Sequence, residues 1–370
     1  HYPLRRQRQM CIRDRYGDAR ILQDSTAQQM HRQLFTHNPK VSGWAYGFME
    51  MNLNNQRMIW HAGSTLLFHT LLVLLPEHNV GLFVSYNSAG GAEARYALLH
   101  AFLDRYYPAP APAIPQPPLD FQQRANRFTG SYRATRSAYT TFEKLANLFA
   151  QVDLTAGPNG TLLMTGLGDP IRWVEVEPLV FRPMADQPFS WVSGLVFRED
   201  DQGSITHFFL MNNPTIAFER VPWYETAVFT YVLWAVCIIL FLSALVLWPI
   251  SFFIRRRKGE KRKHSSLMPR LARWLAGSIS ALNMLFFVGL VIAANNQTEF
   301  IYGIPLIFTV SLVVALLASV LTIGSVIFTV LAWKDQYWRI AGRVHYTLIM
   351  VATLVFIWWL NNWNLLGFHF

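Results

Sequence analysis

Cysteine is almost missing from this 370-residue chain: only Cys11 and Cys237 occur, one near the start and one inside an apolar run. No disulfide framework follows from that, and the redox compartment stays open. Charge is scarce as well. Asp, Glu, Lys and Arg make up 15% of the residues against 52% hydrophobic, a balance too apolar for an ordinary soluble protein. The net charge of +10 would suit a nucleic acid if it were spread over a surface. Instead, nine positive residues, Arg255, Arg256, Arg257, Lys258, Lys261, Arg262, Lys263, Arg270 and Arg273, stand against Glu260 alone, and the rest of the chain is close to neutral. Nucleic acid is therefore not expected as a partner. Histidine numbers 11, yet none sits in a metal-ligand pattern: His61 and His69 are eight apart, His31 and His37 fall on a helix-to-loop segment, and no cysteine or HExxH supports them. Neither a metal nor a cofactor is expected.

What the chain does have is long apolar runs. Thr226 to Ile254, Trp274 to Ala294, Ile304 to Trp333 and Val344 to Leu360 are almost free of charge, and about 20 mostly apolar residues suffice for a helix to cross a bilayer core. Trp223, Tyr224, Trp274, Trp333, Tyr337, Trp338, Tyr346 and Trp363 cluster at the ends of these runs like an interfacial belt. A four-helix transmembrane domain over 223–370 is expected, with membrane lipid as its partner. The loop from Arg255 to Arg273 and the short loop with Lys334, Arg339 and Arg343 belong on the cytoplasmic side, whereas Asn295 to Tyr302 carries only Glu299. Both tails then lie outside, which places residues 1–222 on the periplasmic or extracellular face of a multi-pass protein of the bacterial inner membrane. The four spans contain no mid-membrane Asp, Glu, Lys or Arg, the residues that mark ion and substrate paths, so the helices read as an anchor.

The opening HYPLRRQRQMCIRDR has arginines but no apolar core and is no signal peptide. The string MCIRDR resembles translated adaptor read-through, so 1–15 is read as a non-native leader and the chain as starting inside a domain.

Short strand-forming runs follow at Met58 to Trp60, Leu66 to Leu75 and Val80 to Tyr86, the last two joined by the turn-like PEHN, and Gly91 to Tyr107 has helical spacing. A strand ending in His61-Ala62-Gly63, then a hairpin and a helix, with Tyr46-Gly47-Phe48 upstream, resembles the C-terminal end of the serine β-lactamase and penicillin-binding-protein-like hydrolases, in their His-x-Gly variant. The resemblance covers about 21–107, within an expected hydrolase-related domain 16–107. It implies a partial antiparallel sheet with helices, a small-molecule or peptide substrate, and acyl transfer to or from an amide or ester. His61 and Gly63 would form the substrate edge, and the Ser64 amide would be one of two oxyanion donors. On physical grounds a strand-end histidine can attract an anionic group and Gly63 lets a substrate lie close, although a half-buried strand histidine is the plain alternative.

The family also needs Ser-x-x-Lys and Tyr-x-Asn. Neither occurs: the residues three before Lys40, Lys144, Lys258, Lys261, Lys263 and Lys334 are His37, Thr141, Arg255, Lys258, Glu260 and Leu331. No Gly-x-Ser-x-Gly offers a substitute nucleophile. The chain is thus expected to be inactive alone, with an apolar sheet face left open where the rest of the domain would pack.

Residues 108–120, rich in proline, read as a semi-rigid linker. Beyond them, strands are expected near Phe128 to Ala134, Gln151 to Thr155, Thr161 to Thr165, Ile171 to Glu175, Leu179 to Pro183, Trp191 to Arg198, Ile205 to Met211 and Ile216 to Val221. Even spacing of short strands suits a small barrel or sandwich, and FTGSYR resembles the start of the lipocalin-like domain that follows such hydrolases, giving a β-barrel over 121–222. Its aromatic residues fit a packed core better than a ligand cavity. The fold class expected is multidomain α+β with membrane helices. Two functions remain open: a truncated, membrane-anchored serine hydrolase, or a non-enzymatic membrane receptor or transport-associated protein whose β module binds a ligand and whose helices relay or conduct.

Overall fold

The computed structural model describes residues 15–16, 19–20, 22–110, 115–184, 193–257 and 267–370. The leader but for Arg15, the start of the strand expected from Trp191, and 258–266 of the basic loop lie outside these residues. The fold is mixed α+β: a four-stranded antiparallel sheet, a closed eight-stranded barrel, and four helices long and apolar enough to cross a membrane. The chain divides into two units, His1–Arg136 with Ala150–Val221, and Ser137–Phe149 with Pro222–Phe370.

In the first unit, helix α1 (Asp24–His31) precedes strands β1 (Met49–Leu53), β2 (Gln56–Ser64), β3 (His69–Leu75) and β4 (Val80–Tyr86), paired in that order, and then helix α2 (Gly91–Tyr106). Alternation decides the faces. Met58, Trp60, Leu71 and Val73 pack with Leu99 and Leu103 of α2, while Ile59, Leu72 and Leu74 pack with Ala45, Phe48 and Met30. The second apolar face is therefore covered by residues 30–48, contrary to the expected open face; of the row beside it, Phe83 stays 43% exposed. The Glu50 carboxylate ties that cover down. It accepts from both Arg57 Nε (3.0 Å) and Gln33 Nε2 (2.5 Å), and from the Gly43 amide at 3.2 Å. Leu66, Leu67 and Phe68 form the exposed β2–β3 hairpin tip, not the strand their apolarity suggests.

The barrel strands are β5 (Gly130–Ala134), β6 (Val152–Ala156), β7 (Leu162–Thr165), β8 (Ile171–Glu177), β9 (Val180–Pro183), β10 (Leu195–Glu199), β11 (Ile205–Leu210) and β12 (Asn213–Arg220). Each pairs with the next, and β12 closes on β5. An eight-stranded barrel is just wide enough for its own side chains. Tyr132, Trp173, Phe181, Phe197 and Phe208 fill this one, all with under 2% exposure, and Phe121 and Phe128 join them. The aromatic residues are core. Asn212 fastens the barrel to the sheet: its Oδ1 accepts from the Asn52 amide at 3.2 Å and its Nδ2 donates to the Asn52 carbonyl at 3.1 Å.

The second unit holds α3 (Ala227–Arg257), α4 (Leu267–Asn295), α5 (Leu306–Lys334) and α6 (Ile340–Asn362). The helices are inside-out relative to a soluble bundle. Val228, Ile239, Leu306, Ile323 and Ile340 are more than 60% exposed, whereas Ala276, Ser280, Asn283, Ala315, Ala318, Thr322 and Ser325 are buried. Lipid needs no polar outer face, and small inner residues let helices approach. At Gly289 the approach is so close that a Cβ would stand 1.9 Å from Ser311 Oγ. A segment expected to lie wholly in the barrel, Ser137–Phe149 between β5 and β6, belongs with these helices. Phe142 packs on Phe300, Phe308 and Phe370, and its amide donates to the His369 carbonyl at 2.9 Å. Lys144 Nζ reaches Glu225 Oε1 at 3.0 Å and the Asn362 carbonyl at 2.8 Å, with side chains 12% and 6% exposed for the ion pair.

Two measurements check this packing. Lys144→Met strands a buried carboxylate and should cost about 3 kcal/mol or more, whereas Lys144→Met with Glu225→Leu should recover most of the loss, because removing both ions removes the desolvation cost too. Denaturant unfolding of the chain in nanodiscs reads both. Separately, burial holds the His207 and His100 imidazoles below the ordinary range. The unfolded chain then binds more protons than the folded one as pH falls below about 6.5. Hydrogen-exchange protection of the barrel strands and α2 should accordingly be full above that pH and decline below it, and His207→Gln should flatten the decline in the barrel.

Candidate functional site

The sequence-derived residues His61, Gly63 and Ser64 stand at the end of β2, and the turn that starts this strand determines which way its backbone points. Asn54 and Asn55 both have positive φ, 51° and 60°, and they join the paired residues Leu53 and Gln56. A two-residue turn of that type closes on a hydrogen-bonded pair. Every second residue from Gln56 then directs its N–H and C=O toward β1: Met58, Trp60, Ala62 and Ser64. The far hairpin agrees, since the Thr65 amide donates to the Phe68 carbonyl at 2.9 Å, which gives His61, Gly63 and Thr65 the β3 side. Yet β1 begins at Met49, opposite Trp60. The backbone groups of Ala62 and Ser64 consequently face a side on which no strand lies among the described residues.

Side chains alternate across the same strand. His61 and Gly63 are exposed on one face, in a row where His61 is opposite Leu72, and Leu72 opposite Phe83. A Cβ at Gly63 would stand 2.9 Å from Thr70 Oγ1. Ser64 points to the other face, where its Oγ lies 3.2 Å from Nδ1 of the buried His69. Gly91, at the start of α2, lets the helix close over that face: a Cβ there would meet Tyr86 Cβ at 2.4 Å and His69 Cδ2 at 3.2 Å. The structure thus sets the His61 and Ser64 side chains apart. What it brings to one place is the His61 imidazole, the bare Cα of Gly63 and the outward amide of Ser64. Tyr46-Gly47-Phe48 is a turn, with Gly47 at φ 72°, and the strand begins only at Met49.

Arg95 does not stand out from the sequence motifs. Its Nη1 donates to the carbonyls of Gly63 and Thr70, each at 2.9 Å, from a side chain 8% exposed. A signal for it was present: Gly91, Arg95, Leu99 and Leu103 recur every four residues and are the buried stripe of α2, so a charge falls where an aliphatic side chain is due.

Comparison with known proteins adds little. No family model matches the chain, and no curated protein matches it. Among solved structures, SurE with D-Leu is similar at 19% identity and a TM-score of 0.34, over 54% of this chain and 44% of that one. The octameric penicillin-binding protein homologue from Pyrococcus abyssi is similar at 15% identity and a TM-score of 0.22, over 54% and 43%. The chain spans less than half the length of either, and likenesses this weak carry no argument.

Because His61 is exposed and His69 is packed, their replacements should differ in stability. His61→Ala should leave the unfolding midpoint of the sheet within about 0.5 kcal/mol, and His69→Ala should cost about 1 kcal/mol or more. Equal effects in denaturant titrations would contradict the arrangement described.

Proposed function

We propose that this chain is the membrane-anchored, C-terminal portion of a β-lactamase-related serine hydrolase that acts outside the bacterial inner membrane on an amide or ester. The observation that carries the reading is the open edge of β2. A His-Ala-Gly strand end directs the Ser64 amide away from its paired neighbour, with a helix packed behind and an exposed imidazole beside it. A backbone N–H held in this way suits an oxyanion, and removing one such donor typically costs about 10² to 10³ in rate. In the proposed roles Gly63 admits the substrate backbone, His61 polarises or attracts its polar group, and Ser64 contributes its amide, not its hydroxyl. In this reading the nucleophile is the serine of a Ser-x-x-Lys motif, which does not occur within these 370 residues.

The proposed orientation draws support from the helical unit. Glu225, Phe300 and Phe370, which precede α3, join α4 to α5, and end the chain, all meet the segment 137–149 at one end. At the other ends of these helices, Arg273 at the start of α4 lies over Trp338, and Arg343 at the start of α6 lies over Trp333, next to the basic runs. With the basic loops inside, the segment and both tails lie outside.

A membrane-impermeant fluorescent β-lactam added to intact cells tests chemistry and orientation together. The 370-residue chain should not be labelled. A longer chain that includes an upstream Ser-x-x-Lys should be labelled from outside on that serine, and still be labelled when Ser64 is changed to Ala. Covalent labelling of the present chain at Ser64, or labelling of the longer one only after the cells are opened, would overturn the proposal.

A further inference from the structure

Arg95 is in an expensive position. A guanidinium carries a permanent charge, and burying it without an anion costs several kcal/mol. Among the described residues no carboxylate pairs with Arg95, and its Nε is buried without a hydrogen-bond partner. Its hydrogen bonds go to two backbone carbonyls, Gly63 and Thr70, which face each other across the β2–β3 ladder. A leucine would continue the Leu99 and Leu103 stripe at no such cost. The guanidinium also lies 4.9 Å over the Tyr96 ring, but its hydrogen bonds among the described residues go to the two carbonyls alone.

The Gly63 carbonyl is half of a peptide group whose other half is the Ser64 amide. In a trans peptide the C=O and N–H point in opposite directions. Here the carbonyl points toward β3 and Arg95, and the amide toward the open edge. A cation bound to the carbonyl oxygen draws electron density out of the amide nitrogen, which makes the N–H a better donor. Hydrogen bonds linked through one group strengthen one another by roughly 10–30% in condensed-phase estimates. The second bond, from the same Nη1 to the Thr70 carbonyl, holds the guanidinium against the β2–β3 ladder.

We infer that Arg95 is a positioning residue that fixes and polarises the Gly63–Ser64 peptide group, so that the Ser64 N–H becomes a stronger hydrogen-bond donor at the open edge of β2. The inference deepens the hydrolase reading and rests on it for its purpose: the ligand of that donor is the oxyanion of an acyl group under attack. Arg95 itself does not touch that oxygen and acts only through the peptide.

The test is spectroscopic, so that a merely structural role would not satisfy it. The full chain is prepared in nanodiscs with carbonyl-¹³C glycine and ¹⁵N serine, and the Gly63–Ser64 correlation is assigned by its loss in Ser64→Ala. In Arg95→Met the Gly63 carbonyl and the Ser64 amide proton should both move upfield, with Arg95→Lys between that variant and the parent. The remaining glycine–serine correlations should not move. If Arg95→Met does not fold, the shift from parent to Arg95→Lys decides alone. Unmoved Gly63–Ser64 resonances in a folded variant overturn the inference. In the longer chain that carries the nucleophile, Arg95→Lys should lower kcat about tenfold with KM little changed, less than deletion of a whole donor would. A longer chain that forms no acyl-enzyme defeats the hydrolase reading while leaving the resonance shifts in place. Normal acylation with unmoved resonances defeats the role of Arg95 alone.

Discussion

A mismatch in strand length underlies the site. β2 runs for nine residues and its neighbour β1 for five, and the Asn54–Asn55 turn fixes their register from one end. The pairing therefore runs out opposite Trp60, with four residues of β2 still to come. Had β1 begun a few residues earlier, the amides of Ala62 and Ser64 would be spent on a sheet ladder. The backbone instead leaves the sheet before Met49, through the turn at Gly47, and the chain of residues 30–48 covers the apolar face without filling the edge. An exposed strand edge is a hazard for edge-to-edge pairing unless something blunts it. Here the candidate site occupies it, and the His61 side chain and the hairpin tip stand beside it.

The helical unit answers to a different solvent. Its large aliphatic residues are outside and its small and hydroxylated ones inside, because lipid offers no reward for polar exteriors and close helix approach is gained through Gly289, Ala276, Ala315 and Ala318. Its irregular segment Ser137–Phe149 meets the helix ends rather than their middles, where Lys144, the buried Glu225 and Asn362 supply one another's hydrogen bonds. That is where such a segment is tolerable: non-helical backbone facing the hydrocarbon centre would be far more costly.

Much of the architecture is legible in the sequence. Eight short runs become eight strands within one or two residues at most ends, since each is a short stretch of strand-forming residues between turn residues such as Asn159-Gly160. The four spans are legible because length and apolarity decide them without reference to neighbours. The departures share one cause. β1 (Met49–Leu53) escapes a sequence reading since Met, Glu and Asn are weak strand formers, and it exists because it pairs with β2. Leu66 to Phe68 look like strand because apolar residues usually pack, and the register that makes them a hairpin tip is not written in those three residues. Segment 137–149 falls to the barrel by its place in the chain, and only the docking of Phe142 and Lys144 assigns it otherwise.

The site shows the same division. The run His61, Ala62, Gly63 and Ser64 marks a place, but which way each group faces is decided by the Asn54–Asn55 turn at the other end of the strand and by the helix that begins at Gly91. The resemblance of His-Ala-Gly to a substrate edge implies an amide donor after Gly63; register alone puts that amide on the side where, among the described residues, no strand lies. Arg95 joins the two levels. Its charge is anomalous in the helical pattern of α2, and the anomaly acquires meaning only when the fold carries the guanidinium 2.9 Å from the Gly63 carbonyl. A local rule broken at a buried position, with the compensation found at the edge of a candidate site, is the form in which function leaves its mark on an amino-acid sequence.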